Sequence, residues 1–191
     1  METHALPHGR ITDVLTHSSR MVQLRGVSAL VVGVIGMLAR LDEVRLVSTA
    51  FGIYALLFAA FSLAFAKREG HFHELWGFTS AEALVAVSIA VMALGAPTIT
   101  PMSLALLYGS FAFLVGAIQL LGAVRVRRTE GPGQLLGVAA GISIVFGLLA
   151  LARPRIGTFA LFTEMTAYGF AYGLVQLGLA SRLRRRAEAR A

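Results

Sequence analysis

Six continuous apolar runs, each about 20 residues long, dominate this chain: 21–39, 44–66, 78–96, 102–124, 134–152 and 157–180. The hydrocarbon core of a bilayer is about 30 Å thick, so a run of this length is what a helix needs to cross it. Lipid offers no partner to an unpaired backbone N–H or C=O, and only helices and closed barrels satisfy their own. Barrel strands would show short alternating segments of about 10 residues, and these runs do not alternate. The chain therefore reads as all-α, a polytopic membrane protein of six transmembrane helices. Composition agrees, since 57% of the 191 residues are hydrophobic and 14% charged, too apolar for a disordered chain. There is no cysteine, which excludes a disulfide framework, thiol catalysis and iron–sulfur clusters. The first run is not a cleavable signal, because Arg25 lies inside it and no small-x-small site precedes a polar mature domain.

Shifting the sequence against itself by 57 residues aligns 25–70, 82–127 and 139–184 without a gap. Matched columns include Tyr54 with Phe111 and Tyr168, Leu63 with Leu120 and Leu177, Ala66 with Ala123 and Ala180, and Arg68 with Arg125 and Arg182. Each unit holds two spans, so the copies share one orientation: three parallel helix-hairpin repeats of 57 residues about an axis along the membrane normal. Small residues recur in the first helix of each unit at Gly26/Ala83/Ala140, Ala29/Ala86/Ser143, Gly33/Ala90/Gly147 and Gly36/Ala93/Ala150. In the second helix they recur at Gly52/Gly109/Thr166, Ala55/Ala112/Gly169 and Ala59/Gly116/Gly173. Spacings of three and four place each set on one helical face. Helix association in lipid rests on close backbone approach at such residues and on interhelical hydrogen bonds, which makes Gly109, Gly116, Gly169 and Gly173 the expected crossing points. Gly133, Gly137 and Gly141 form a doubled GxxxG that offers further packing surface, including surface for a second copy.

Thirteen of the 17 basic residues fall in the N-terminal segment, the even loops and the C-terminal tail; only Arg40, Arg45, Arg153 and Arg155 lie opposite. This bias puts both termini in the cytoplasm, as expected of a bacterial-type inner-membrane protein. It also accounts for the net charge of +7 through anionic headgroups on the cytoplasmic side, so no nucleic-acid partner is expected. Residues 1–20 read as a cytoplasmic segment with a short amphipathic helix on the inner leaflet, carried by Ile11, Val14, Leu15, Ser18 and Val22. The transmembrane domain covers 21–182, and 183–191 form a basic cytoplasmic tail.

From Arg25 to about Arg186 the chain resembles the HdeD-like acid-resistance membrane proteins, built from short helix-pair repeats of unknown function. The residues that carry the resemblance are Gly137, Gly141, Gly147 and Pro154, then Tyr168 through Gly173 to Ala180 and Arg182. The second copy repeats them with Pro97, Phe111 to Gly116 and Ala123 to Arg125; the first departs, with Arg40 for the proline and Ala59 for the glycine. The resemblance implies a six-span inner-membrane protein linked to acid or stress tolerance, and it carries over no catalytic residue.

The polar residues inside the runs are the candidate site. Arg25 and Glu82 occupy one repeat column, hence similar depths, and form a candidate intramembrane ion pair; the alternative is that each reaches the interface separately. Gln119 and Gln176, with Ser62 as third member of their column, are expected to hydrogen-bond across helices. The four tyrosines read as packing or interface aromatics. Glu164 lies about seven residues into the sixth run, roughly 10 Å deep. A carboxylate there is costly unless it faces protein, water or a cation, and desolvation favours its neutral form, making it the candidate proton-responsive group. Thr163 and Thr166 are placed to satisfy it. His71 and His73, flanked by Glu69 and Glu74, do not share a helical face, so no metal is expected. No P-loop, GxSxG or HExxH is present. The expectation is thus no enzyme and no cofactor, but a structural or stress-related protein, acting as a homo-oligomer or as an accessory subunit of a larger membrane complex. The competing class is a small transporter or proton-coupled channel.

Overall fold

A computed structural model describes residues 8–39, 43–68, 73–96, 98–126 and 133–189; within these, the side chains of 8–18, 65, 67–68, 73–76, 125–126, 133 and 186–187 are not described. Six helices follow one another: α1 (His8–Leu38), α2 (Val44–Arg68), α3 (His73–Gly95), α4 (Pro101–Val126), α5 (Gly133–Ala152) and α6 (Thr158–Glu188). Local sequence explains the breaks. Thr100 caps α4, its hydroxyl accepting the Ser103 N–H at 3.1 Å, and Pro101 fills the first helical position, where its missing N–H costs nothing. Arg153 and Pro154 end α5, because a proline ring clashes with a continuing helix.

Two helices run past the expected limits of the membrane domain. α1 is unbroken from His8, since neither glycine nor proline interrupts 10–25. α6 continues into the basic segment as far as Glu188. Arginine, alanine and glutamate favour helix, and Arg184 pairs with Glu188 one turn on at 2.9 Å.

Five helices are long and apolar enough to cross a membrane over Ser19–Leu38, Val44–Ala64, Gly77–Gly95, Pro101–Val124 and Gln134–Ala152. α6 is the least apolar, because Glu164, Gln176 and its arginine-rich end lie along it. It takes its place in the bundle by packing antiparallel along α1. There Gly26 faces Gly173, Gly33 faces Gly169 and Gly36 faces Thr166.

The tightest seams lie between hairpins rather than within them. α1 packs most extensively on α6, α4 on α5 and α2 on α3. The helices of each hairpin touch less, so the three units close into a ring in which α1, α3 and α5 each wedge between two even-numbered helices. Half of the span of α2 and of α4 is buried (50%), against 28–33% in α1, α3 and α5. The even-numbered helices therefore line the axis. Their residues stack on it in layers of three, each 57 apart: Val47/Leu104/Leu161, Phe51/Tyr108/Met165, Tyr54/Phe111/Tyr168, Phe58/Val115/Tyr172, Ser62/Gln119/Gln176 and Ala66/Ala123/Ala180. Every one of them is buried. Valines and leucines such as Val31, Leu84, Leu121, Val145 and Leu174 face outward, as the wall of a bundle sitting in lipid requires.

Candidate functional site

The interior is apolar at the end of the axis away from the termini and polar toward the end that holds them. One turn before the Ala66/Ala123/Ala180 layer, the Arg25/Glu82 column meets the Ser62/Gln119/Gln176 column. Arg25 Nη2 donates to Glu82 Oε2 at 2.9 Å and also to the Ser62 hydroxyl. The two charged side chains are 11% and 9% exposed. The pair is thus turned inward, and Arg25 stands well inside α1 rather than near its end. Its guanidinium carbon lies 4.3 Å from the centre of the Phe58 ring, a cation–π contact strengthened by the absence of water. Ser62 in turn donates to the Phe58 carbonyl at 2.8 Å.

On the other side of the axis Gln119 Nε2 donates to the Tyr172 hydroxyl at 2.9 Å, joining α4 to α6. Gln119 also lies against Glu82, and Gln176 beside the same tyrosine hydroxyl. In the third repeat the residue matching Arg25 and Glu82 is Ala139, fully buried. One cation, one anion and one methyl thus share a threefold position, and the cluster is neutral overall. Burying either ion alone would be costly, whereas a hydrogen-bonded pair is tolerated.

Above this cluster the axis is aromatic. Phe51, Tyr54 and Phe58 of α2 meet Tyr108 and Phe111 of α4 edge to face, with ring centres 5.5 to 6.1 Å apart, the arrangement that ring quadrupoles favour. Tyr168 stacks on Tyr172 at 5.4 Å, and its hydroxyl pairs with Ser143 of α5 at 3.2 Å. All four tyrosines are core residues, and none stands at an interface.

Glu164 sits near the opposite end of the bundle, one residue before the Phe51/Tyr108/Met165 layer. It is 9% exposed, and its Oε1 has no hydrogen-bond partner among the described residues. The two threonines expected to satisfy it do not: Thr163 donates to the Phe159 carbonyl, and Thr166 reaches across to the Gly33 carbonyl at 3.2 Å. A helical threonine hydroxyl prefers a backbone carbonyl within reach. Arg153 is near enough to act on Glu164 electrostatically.

The glycine stripes fall where backbones touch. A Cβ added to Gly173 would lie 2.9 Å from Gly26 O, one on Gly169 2.8 Å from Ala29 O, one on Gly116 2.9 Å from Ala140 O and one on Gly109 3.2 Å from Gly147 O. These are repeats of one crossing. Gly137 and Gly141 are half-buried on α5, and a Cβ on Gly141 would meet nothing within 4 Å. The surroundings of Gly133, and the side chains of His71, His73, Glu69, Glu74 and Trp76, lie outside the described residues. Among the described residues no group of three His, Asp or Glu is placed to hold a metal ion.

The sequence offers Arg25 and Glu82 as a candidate pair, with separate reach to the interface as the alternative, but offers neither Ser62 as a partner of Arg25 nor Tyr172 as a partner of Gln119. These partners sit in different columns, and only the antiparallel folding of the hairpins brings the columns to one depth.

A six-helix bundle of three like hairpins, closed around a polar cluster at one end and an aromatic stack along its middle, defines a multi-pass membrane protein assembled from a thrice-repeated helix pair. The chain belongs to the family described as a short repeat of unknown function (DUF308), whose model matches residues 24–89, 81–143 and 138–190. Successive matches start 57 residues apart, the period read from the sequence. No curated protein and no solved structure matches the chain.

Proposed function

We propose that this protein is a structural component of the cytoplasmic membrane that serves in acid stress, as a homo-oligomer or as an accessory subunit of a larger complex, and not as an enzyme. The observation that carries this reading is the filled axis. Six layers of buried side chains fill the axis, and at its polar end Arg25, Glu82 and Ser62, and Gln119 and Tyr172, are paired with one another. What such a molecule offers its surroundings is its outer face. That face has unused close-approach positions at Gly141 and Gly178, where an added Cβ would meet nothing within 4 Å, and on α5 Gly141 lies among the exposed Val138 and Val145. Small residues of this kind allow a neighbouring helix to approach closely in lipid. The exposed Arg182, Arg184 and Arg185 suit anionic headgroups on the cytoplasmic leaflet. The acid-stress element draws on the resemblance to HdeD-like proteins and on Glu164, a buried carboxyl without a hydrogen-bond partner for one oxygen.

The test is extraction of the native protein in mild detergent or lipid nanodiscs, followed by mass measurement. Assemblies of two or more copies, or a partner at fixed stoichiometry, are expected. A monodisperse monomer that holds no partner overturns the proposal. The competing reading, a small transporter or proton-coupled channel, draws on one observation, the Arg25–Glu82 pair inside the bundle, since intramembrane charge often marks a transport path. It requires ion or proton flux in proteoliposomes that the filled axis opposes.

A further inference from the structure

The aromatic stack borders a small, partly open cavity of about 10 Å³. It lies near the middle of the bundle, between the Phe51/Tyr108/Met165 layer and the Tyr54/Phe111/Tyr168 layer, and its lining also includes Ala29, Val32 and Gly169. Among the described residues the hydroxyls of Tyr54 and Tyr108 find no hydrogen-bond partner. Both line this cavity. They are 3% and 1% exposed, so neither is hydrated from outside.

We propose that the cavity is a binding site for a single water molecule, held between the hydroxyls of Tyr54 and Tyr108. Three independent features converge on it. The first is size, because room for about one water-sized sphere is what an internal water needs. The second is chemistry: a buried hydroxyl is normally paired, and here two tyrosines from different helices whose hydroxyls lack a partner among the described residues line one space. Each hydroxyl has one donor and an acceptor, so one donates to the water and the other accepts from it. Tyr168, whose hydroxyl is already paired with Ser143, lines the same space. Two polar partners fall within the usual coordination of an internal water. The third feature is pattern. Of the six positions in these two layers, the repeat places hydroxyls at Tyr54, Tyr108 and Tyr168 and apolar groups at Phe51, Phe111 and Met165. The unpaired hydroxyls come from different repeats, and their layers adjoin at the cavity. A dry cavity needs only apolar lining, and phenylalanine at 54 and 108 would provide it.

The water is a structural ligand that joins α2 to α4 at a depth where neither leaflet supplies solvent. The site does not depend on the acid-stress or oligomer reading, and failure of either leaves the other standing.

The experiment uses full-length protein in nanodiscs. A density map sharp enough to show ordered water should place a peak about 2.7–3.2 Å from both hydroxyl oxygens; a well-ordered cavity without a peak overturns the proposal. In parallel, Tyr54→Phe, Tyr108→Phe and the double variant are melted. With a bridging water each single change removes one anchor and lowers Tm by about 2–4 °C, and the double variant loses no more than the larger single loss. If the hydroxyls are dry, each phenylalanine removes an unsatisfied polar group and raises Tm. Fully additive losses show separate partners. Either of these last two results also overturns the single-water site.

Discussion

Replacing Glu82 by alanine leaves Arg25 charged, buried and deprived of its strongest acceptor. The guanidinium is not free to reach water, since its side chain is only 11% exposed and Phe58 covers one face. It keeps Ser62, but a hydroxyl does not neutralise a cation. Breaking one partner of such a pair costs about 3–5 kcal/mol. For a chain of this size each kcal/mol shifts Tm by about 2–4 °C, so the melting temperature should fall by roughly 6–20 °C. Arg25→Met, which strands the carboxylate, should fall in the same range. The double change Arg25→Met with Glu82→Met should stand within about 1–2 kcal/mol of the native protein, because a buried pair is replaceable by apolar groups of like volume. The surrounding cluster supports that expectation: Ser62 still donates to the Phe58 carbonyl, and Gln119 still donates to Tyr172. The assay is thermal unfolding by circular dichroism in nanodiscs, read as a double-mutant cycle. Single losses below about 1 kcal/mol that simply add would show a solvated pair, and the account of the site given above would be wrong.

Gly173→Leu should destabilise the bundle by about 1–3 kcal/mol or more, because its Cβ would press on Gly26 O at 2.9 Å, while Gly141→Leu, with nothing within 4 Å of its Cβ, should leave the monomer's stability nearly unchanged; equal thermal shifts for the two refute the assigned faces. Glu164→Gln removes the charge but keeps the shape, and acid-survival and stability curves against pH should differ from the native ones if that carboxyl senses protons. Superimposable pH profiles would dispose of the sensor. A cysteine at the exposed Thr98, in the loop between the second repeat's two helices, should react with an impermeant label only from the non-cytoplasmic side. Labelling from the cytoplasm alone would invert the proposed orientation.

Much of the architecture was legible because membrane constraints are severe. Apolar runs of spanning length leave helices as the solution, and a gapless 57-residue register turns six helices into three copies of one unit. That register made Arg25 and Glu82 a candidate pair, since equal columns imply equal depth, and their contact at 2.9 Å is what the structure adds. What the register does not carry is which helix a small-residue stripe faces. Gly26 and Gly173 each announce a close contact, but only closure of the ring makes them each other's partner. Nor does a one-dimensional pattern tell which way a ring turns, so Tyr54 and Tyr108 looked interchangeable with Tyr168 and Tyr172, although the first two hydroxyls lack partners and the last two have them. The change from polar to apolar sequence near residue 20 does not mark a helix end for a related reason: it marks a change of surroundings, and α1 passes through it without breaking.

The seam between α1 and α6 joins the first of these six helices to be synthesised to the last of them. Until α6 is made α1 has only α2 beside it, and its glycine face, with Gly26, Gly33 and Gly36, stands open to lipid. The closing helix is also the least apolar of the six, so its residence in the bilayer relies on the groove that α1 and α5 hold ready. Truncation within the 31 residues of α6 is therefore felt first at α1, and a cell's quality control would meet an exposed α1, rather than a missing α6, as the mark of an unfinished bundle.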